Sequence, residues 1–232
     1  MARIAVTSDF HLNPGDIFPK PFFAEGSELY DKRPPDLVIL LGDMRNFLPL
    51  GIKAWDTPEG HLTIQSLHSA LGDYETVDLM GNHEGRFSWL CESNEGSHFV
   101  SMRELTIKAK PLPYHFEHGH KLTEWWLLRH IADDFVDWIT TLPIFRAWWY
   151  KFCVKQGWIP SKYMHDWEGN LVPKYPDIVG LYWANVFREA QRRKVNMVVG
   201  HSHCRAHLST PHSKVPDVID TGSKVWTILR IS

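Results

Sequence analysis

Asp9-Phe10-His11, Gly42-Asp43, Gly81-Asn82-His83-Glu84, His118-Gly119-His120 and Gly200-His201-Ser202-His203 place carboxylates, imidazoles and one amide at five points along a chain of 232 residues. Together these oxygen and nitrogen donors suit a pair of divalent metal ions. Thiolate is absent from the set, so a structural zinc–cysteine site is not in question. Taken singly each motif is weak. Gly42-Asp43 alone reads as a turn, as Gly72-Asp73 does, and Asn82 alone is an ordinary turn residue. All five in one chain are hard to explain as packing.

The elements that must position these residues are short apolar runs. Ile4 to Ser8 precedes Asp9, Leu37 to Leu41 precedes Gly42, and Val195 to Val199 precedes Gly200. The donors therefore stand where strands end and loops begin, which is where open α/β folds place their chemistry. Strand-like runs recur near 2–7, 36–41, 76–80, 112–117, 195–199, 216–221 and 225–231, and helix-like stretches near 61–72, 84–95 and 177–194. Alternation through the first 95 residues predicts βαβ units and a largely parallel sheet. Asp220-Thr221-Gly222-Ser223 predicts a tight antiparallel hairpin between the last two strands.

The order and spelling of the motifs resemble the calcineurin-like metallophosphoesterase superfamily, whose signature is D-x-H, G-D, G-N-H-[DE], H and G-H-x-H. The resemblance spans residues 9 to 203. It implies an α/β fold of two packed sheets flanked by helices, an αββα sandwich. It also implies two metal sites: Asp9, His11 and His203 in one, Asn82, His118 and His201 in the other, with the Asp43 carboxylate bridging them. His120 is the alternative to His118. Manganese is the first choice of metal, with Fe, Zn, Co or Ni also compatible. The implied reaction is attack of a metal-bridging hydroxide on phosphorus. His83 is assigned no metal and becomes the general acid or an electrostatic partner of the transition state. Glu84 reads as the acid that opens a helix, and Arg86 as either a phosphate contact or a solvated cation.

The substrate reading is a phosphodiester or pyrophosphate. The Gly-Asp-x-x-Asp-Arg-Gly and Arg-Gly-Asn-His-Glu spellings of protein phosphatases are replaced here by Gly42-Asp43-Met44-Arg45-Asn46 and by Met80 before Gly81. A narrower alternative is a UDP-2,3-diacylglucosamine pyrophosphate hydrolase of lipid A synthesis, similar in length and in carrying a helical insertion. That branch reads Gly-Asn-Arg-Asp and His-Gly-Asp, from which this chain departs. An alternative of another class is a catalytically silent interaction scaffold of the same fold.

The chain reads as one domain, 1–232, with a tryptophan-rich helical insertion over 121–176. Eight of the eleven tryptophans fall between Trp125 and Trp183. Ile144, Phe145, Trp148, Trp149 and Phe152 recur at helical spacing, which usually marks a packed stripe. The alternative is a cap in which Trp148, Trp149 and Lys151 grip a small-molecule or lipid-linked phosphate ester, with peripheral membrane contact open to it. Residues 121–194 hold 11 Lys plus Arg against 8 Asp plus Glu, too small a surplus for a long nucleic-acid track. Net charge is −2 and hydrophobic content 44%, ordinary for a globular protein. Three scattered cysteines give no disulfide framework. The N-terminus lacks signal-peptide regions and no apolar run approaches membrane-spanning length, which together predict a cytoplasmic protein.

Overall fold

The computed structural model describes residues 1–25, 33–50, 52–81, 83–84, 99–122, 163–165, 171–173, 176–209 and 215–232. Twelve strands and four helices are described: β1 (Ala2–Thr7), β2 (Leu37–Leu40), α1 (Phe47–Leu50), α2 (Ile52–Trp55), α3 (Pro58–Leu71), β3 (Thr76–Leu79), β4 (Phe99–Met102), β5 (Glu104–Ile107), β6 (Tyr114–Glu117), β7 (Tyr163–His165), β8 (Leu171–Pro173), α4 (Pro176–Arg193), β9 (Asn196–Val199), β10 (Ala206–Leu208), β11 (Val218–Asp220) and β12 (Thr227–Ile231). One sheet runs β12-β1-β2-β3-β4 and a second β10-β11-β9-β6-β5. β1, β2, β3 and β4 are mutually parallel, as are β6, β9 and β11.

Burial on both faces explains why the central strands read as unbroken apolar runs. Ile4, Val6, Ile39, Leu41 and Leu79 of the first sheet meet Phe116 and Val198 of the second. On the far side of the first sheet, Ala5, Val38 and Leu40 pack with Leu67 and Leu71 of α3 and with Phe10, Phe18 and Phe23. On the far side of the second, Met197, Val199 and Val218 pack with Tyr182, Val186 and Ala190 of α4. The layers are helix, sheet, sheet, helix, as the motif resemblance implied.

Helix α3 begins three residues before the sequence reading of 61–72. Thr57 caps it, its hydroxyl accepting from Gly60 N at 3.1 Å, and Pro58 occupies the first turn. Thr63, Leu67 and Leu71, four apart, form its buried face. Lys194, at φ 58°, ends α4 in the left-handed conformation that closes many helices.

The predicted C-terminal hairpin is wrong. β11 pairs with β9 and β10 in the second sheet, whereas β12 pairs with β1 in the first. The link between them crosses the sandwich because the end of β1 captures it. Thr7 Oγ1 donates to Val225 O, Ser8 Oγ to Gly222 O, and Lys224 N to Ser8 O. β4, β5 and β10 are strands the sequence reading omitted. The predicted helix at 84–95 lies, apart from Glu84, outside the described residues. So does most of 121–176, where only the β7–β8 pair and the ends of the segment are described.

Between β2 and β3 an ion pair is sealed in: the Arg45 guanidinium meets the Asp78 carboxylate with both side chains under 5% exposed. Removing the Asp78 carboxylate takes the nearer partner from the buried Arg45 guanidinium, whose other carboxylate, Glu84, is 3.6 Å away. Asp78→Ala should therefore cost about 3–5 kcal/mol of unfolding free energy, measured by urea denaturation with an unchanged m-value.

Candidate metal centre

The C-terminal ends of β1, β2, β3, β6 and β9 reach one edge of the sandwich, and the loops leaving them carry the motif residues. The backbone there is unusual. Asp9 (φ 56°), His11 (49°), Asp43 (51°), His201 (68°) and His203 (57°) all sit in the left-handed region. Non-glycine residues seldom adopt it, and such strain gathers at functional sites. Close approach of the loops explains two of the motif glycines. A Cβ on Gly81 would lie 2.1 Å from Asp43 Oδ1, and one on Gly200 would lie 2.5 Å from Ser8 Oγ.

Donor atoms converge in three overlapping groups: Asp9, His11 and His203; His11, Asp43 and His83; and Asp43, His118 and His201. In the first, His203 Nε2 is 3.0 Å from His11 Nε2 and 3.2 Å from Asp9 Oδ1. In the third, His118 Nε2 is 3.3 Å from Asp43 Oδ2 and 3.2 Å from His201 Nδ1. Asp43 Oδ2 is also 3.8 Å from His83 Nε2, so Asp43 belongs to two groups.

Hydrogen bonds at the backs of the rings assign their tautomers. Asn46 donates through Nδ2 to His11 O at 2.8 Å and to Asn13 Oδ1 at 3.1 Å, which turns its own Oδ1 toward the imidazoles. That oxygen lies 3.1 Å from both His11 Nδ1 and His83 Nδ1, so each ring donates from Nδ1 and presents an Nε2 lone pair when neutral. His118 Nδ1 donates to Leu41 O at 2.8 Å with the same result. Burial holds His11 down to about 4 and keeps His83 and His201 below the usual histidine range. Burial also opposes ionisation of Asp9 and Asp43, but His203 beside the first and His118 beside the second keep both below the usual carboxylate range. For His118, burial pulls downward and the Asp43 carboxylate overrides it, raising the ring to about 10.

A divalent cation fits this donor set. Asp9 Oδ1 is buried and accepts no hydrogen bond, while its Oδ2 accepts from His201 N at 3.0 Å. The free oxygen faces His203 Nε2 and His11 Nε2, three donors aimed at one point.

Other predicted site residues are placed differently. The His120 ring centroid is 5.5 Å from that of His118 and 6.4 Å from that of His201, and His120 joins none of the donor groups. Asn82, Arg86, Trp148, Trp149 and Lys151 lie outside the described residues. Glu84 reads as the acid that opens a helix, and the rest of that helix lies outside the described residues. Glu84 itself is buried, and its carboxylate accepts from main-chain amides of both the 43–45 and the 81 loops. Burial raises it to about 7 against the Arg45 guanidinium. Asn46 went unread, although its position three residues past Asp43 in the same loop was the available signal. A fourth group, Glu104, His115 and Glu117, already holds a cation: Arg193 Nη1 stands 2.9 Å from His115 Nε2.

Behind the last motif, Tyr182 OH donates to Gly200 O at 3.0 Å. Asp220 Oδ2 accepts from Trp183 Nε1 at 3.0 Å and from Ser202 Oγ, and Cys204 N donates to that hydroxyl at 3.0 Å. Burial pushes the Cys204 thiol up to about 12, which makes it inert.

This sandwich and its strand-end cluster of carboxylates and imidazoles define a metal-dependent phosphoester hydrolase. The model of the calcineurin-like phosphoesterase family matches residues 2–218, and the chain belongs to that family. Among solved structures it is similar to a dimetal phosphatase from Danio rerio, with 12% identity, 96% of this chain and 87% of that chain covered, and a TM-score of 0.42. It is also similar to vacuolar protein sorting 29 from Cryptosporidium parvum (10%, 97% and 75%, 0.41) and to an archaeal phosphodiesterase (15%, 95% and 84%, 0.39). These distant likenesses add nothing to the family match. No curated protein matches the chain. Among the described residues, no helix is long and apolar enough to cross a membrane.

Asp220 gives a pH signature. Burial lifts it to about 7 in the folded chain, whereas unfolding returns it to about 4. Between those values the folded state holds the extra proton, so this contribution to stability grows as pH falls through 7. Thermal melts of metal-free wild type and D220N from pH 8 to 5.5 should show the wild type gaining on the variant as pH falls.

Proposed function

We propose that the protein hydrolyses a phosphodiester or pyrophosphate bond at two adjacent divalent cations, manganese being the first choice. The observation that carries this reading is Asp43, whose carboxylate belongs to two donor groups at once. Asp9, His11 and His203 would hold one cation and Asn82, His118 and His201 the other, with Asp43 sharing one donor group with His11 and another with His118 and His201. When bound, the pair supplies a water activated near neutral pH and positive charge against the oxygens of the transferring phosphorus.

The rest belongs to the chain. Nδ1–H atoms fixed on Asn46 and Leu41 O keep His11 and His118 in the tautomer a cation needs. His83 stands beside the cluster with its Nδ1 on the same Asn46 oxygen and its Nε2 directed toward the site. As general acid it would act from the imidazolium form, giving the Nε2 proton to the leaving-group oxygen and keeping the Nδ1–H on Asn46. Burial disfavours that form and the Asp43 carboxylate, 3.8 Å from Nε2, favours it. Arg86, Trp148, Trp149 and Lys151 are proposed, on sequence grounds, to contact the substrate. The complete set of donors favours an enzyme over a silent scaffold.

The reading is tested by hydrolysis of bis(p-nitrophenyl) phosphate beside p-nitrophenyl phosphate, after chelation and Mn²⁺ add-back. Manganese-dependent turnover of the diester in excess of the monoester is expected. Turnover of neither, with no metal bound, overturns it. Asp43→Asn and His201→Ala should lose metal and activity together. His83→Ala should keep its metal and lose about 10²–10⁴-fold in kcat, most on poor leaving groups. Replacing Trp148 and Trp149 should raise KM for the true substrate and leave small aryl phosphates nearly untouched.

A further inference from the structure

Glu84 is 1% exposed and sits directly behind the loop that carries Asp43. Its Oε1 accepts from Met44 N at 2.6 Å and Arg45 N at 3.1 Å. Its Oε2 accepts from Asp43 N at 2.8 Å and Gly81 N at 2.9 Å. Three of these donors are consecutive, and the run begins at a residue with φ 51°. Successive N–H groups around a left-handed residue form a concavity that binds anions. Here the anion is the chain's own side chain.

We propose that Glu84 is the positioning residue of the metal centre, an internal anion that folds the 43–45 loop and clamps it to Gly81. This deepens the functional reading above and rests on it. The clamp decides where Asp43 points. With the two loops held together, His83 N donates to Asp43 Oδ1 at 2.8 Å, which leaves Oδ2 turned toward His118 and His83 Nε2. Arg45, whose guanidinium lies 3.6 Å from Oε1, balances the buried charge from outside the metal cluster.

The geometry makes glutamine a poor substitute despite its shape. Each carboxylate oxygen takes two N–H donors, so an amide NH2 in either position would face two donors with a third. Two buried main-chain amides would lose their acceptor whichever way the side chain turned.

The test compares wild type, E84Q and L71A, all metal-free at pH 8. Leu71 is a fully buried residue of α3 that takes no part in the hydrogen bonds of Glu84, and L71A serves as a control for general destabilisation. Calorimetric titration with Mn²⁺ should show E84Q weakened about 10–100-fold and L71A unchanged. Hydrogen exchange should show the amides of Asp43, Met44, Arg45 and Gly81 accelerated in E84Q beyond the other core amides, but not in L71A. Wild-type affinity together with unchanged exchange at those four amides in E84Q overturns the proposal. If the wild type itself binds no metal, the functional reading falls, and the exchange comparison still decides the role of Glu84. Should E84Q fail to fold, Glu84→Asp keeps the charge, shortens the reach by one methylene and permits the same comparison.

Discussion

Five of the side chains aimed into the metal centre are carried on backbone that L-residues avoid. Such conformations cost about 1–3 kcal/mol each, so the surrounding structure must over-determine them. It does so by extending the pairing of β1 and β2 past the ends of the strands. Asp9 N donates to Gly42 O, His11 N to Asp43 O, Leu12 N to Met44 O and Asn46 N to Leu12 O, with Leu12 and Arg45 forming a last bridge. The first two motifs are therefore one irregular ribbon, along which Asp9, His11 and Asp43 each take the left-handed conformation.

The last motif is fastened in place by hydrogen bonds made with atoms other than those proposed to bind a cation. The Gly200 loop is held by Tyr182 OH on one side and by the Asp9 carboxylate on the other. The link between β11 and β12 braces the Asp9 turn through Ser223 Oγ, which donates to Asp9 O at 2.8 Å, and through Ser8 Oγ bonded to Thr221 Oγ1 at 2.9 Å. Glycine fills two of these places because the loops approach closely: a Cβ on Gly200 would meet Ser8 Oγ, and one on Gly222 the Arg205 backbone. Rigidity of this kind matters for metal chemistry, since donors that are held need no reorganisation when a cation arrives.

Much of this was legible in the sequence, for reasons that differ by element. β1, β2 and β9 announce themselves because their apolar runs are nearly continuous and buried; β3, Thr76-Val77-Asp78-Leu79, is read from its β-branched residues although Asp78 interrupts it. β5 does not: Glu104-Leu105-Thr106-Ile107 alternates exposed and half-buried positions over only four residues at a sheet edge. The connection after Asp220 reads locally as a hairpin, but local composition cannot say which sheet the next strand joins, and β12 joins the other one. That was decided by hydrogen bonds to Thr7 and Ser8, more than 200 residues away. The site shows the same division. Donor types at strand ends are local and readable, as was the resemblance they carry. The roles of Asn46, Glu84 and Asp220 exist only once separate loops meet.

The return helix α4 joins the scaffold to the segment the sequence singled out. Tyr182 and Trp183 are neighbours on it, and their polar atoms reach two different supports of the Gly200 loop: the carbonyl of Gly200 and the carboxylate of Asp220. Neighbouring helical side chains diverge by about 100°, so the pair grips the loop from two directions and resists both sliding and rotation of α4. Tyrosine and tryptophan suit the task because each buries a large ring while offering one donor at its tip. The tryptophan at 183 thus has a structural reason of its own, and α4 is keyed to the loop bearing His201 and His203.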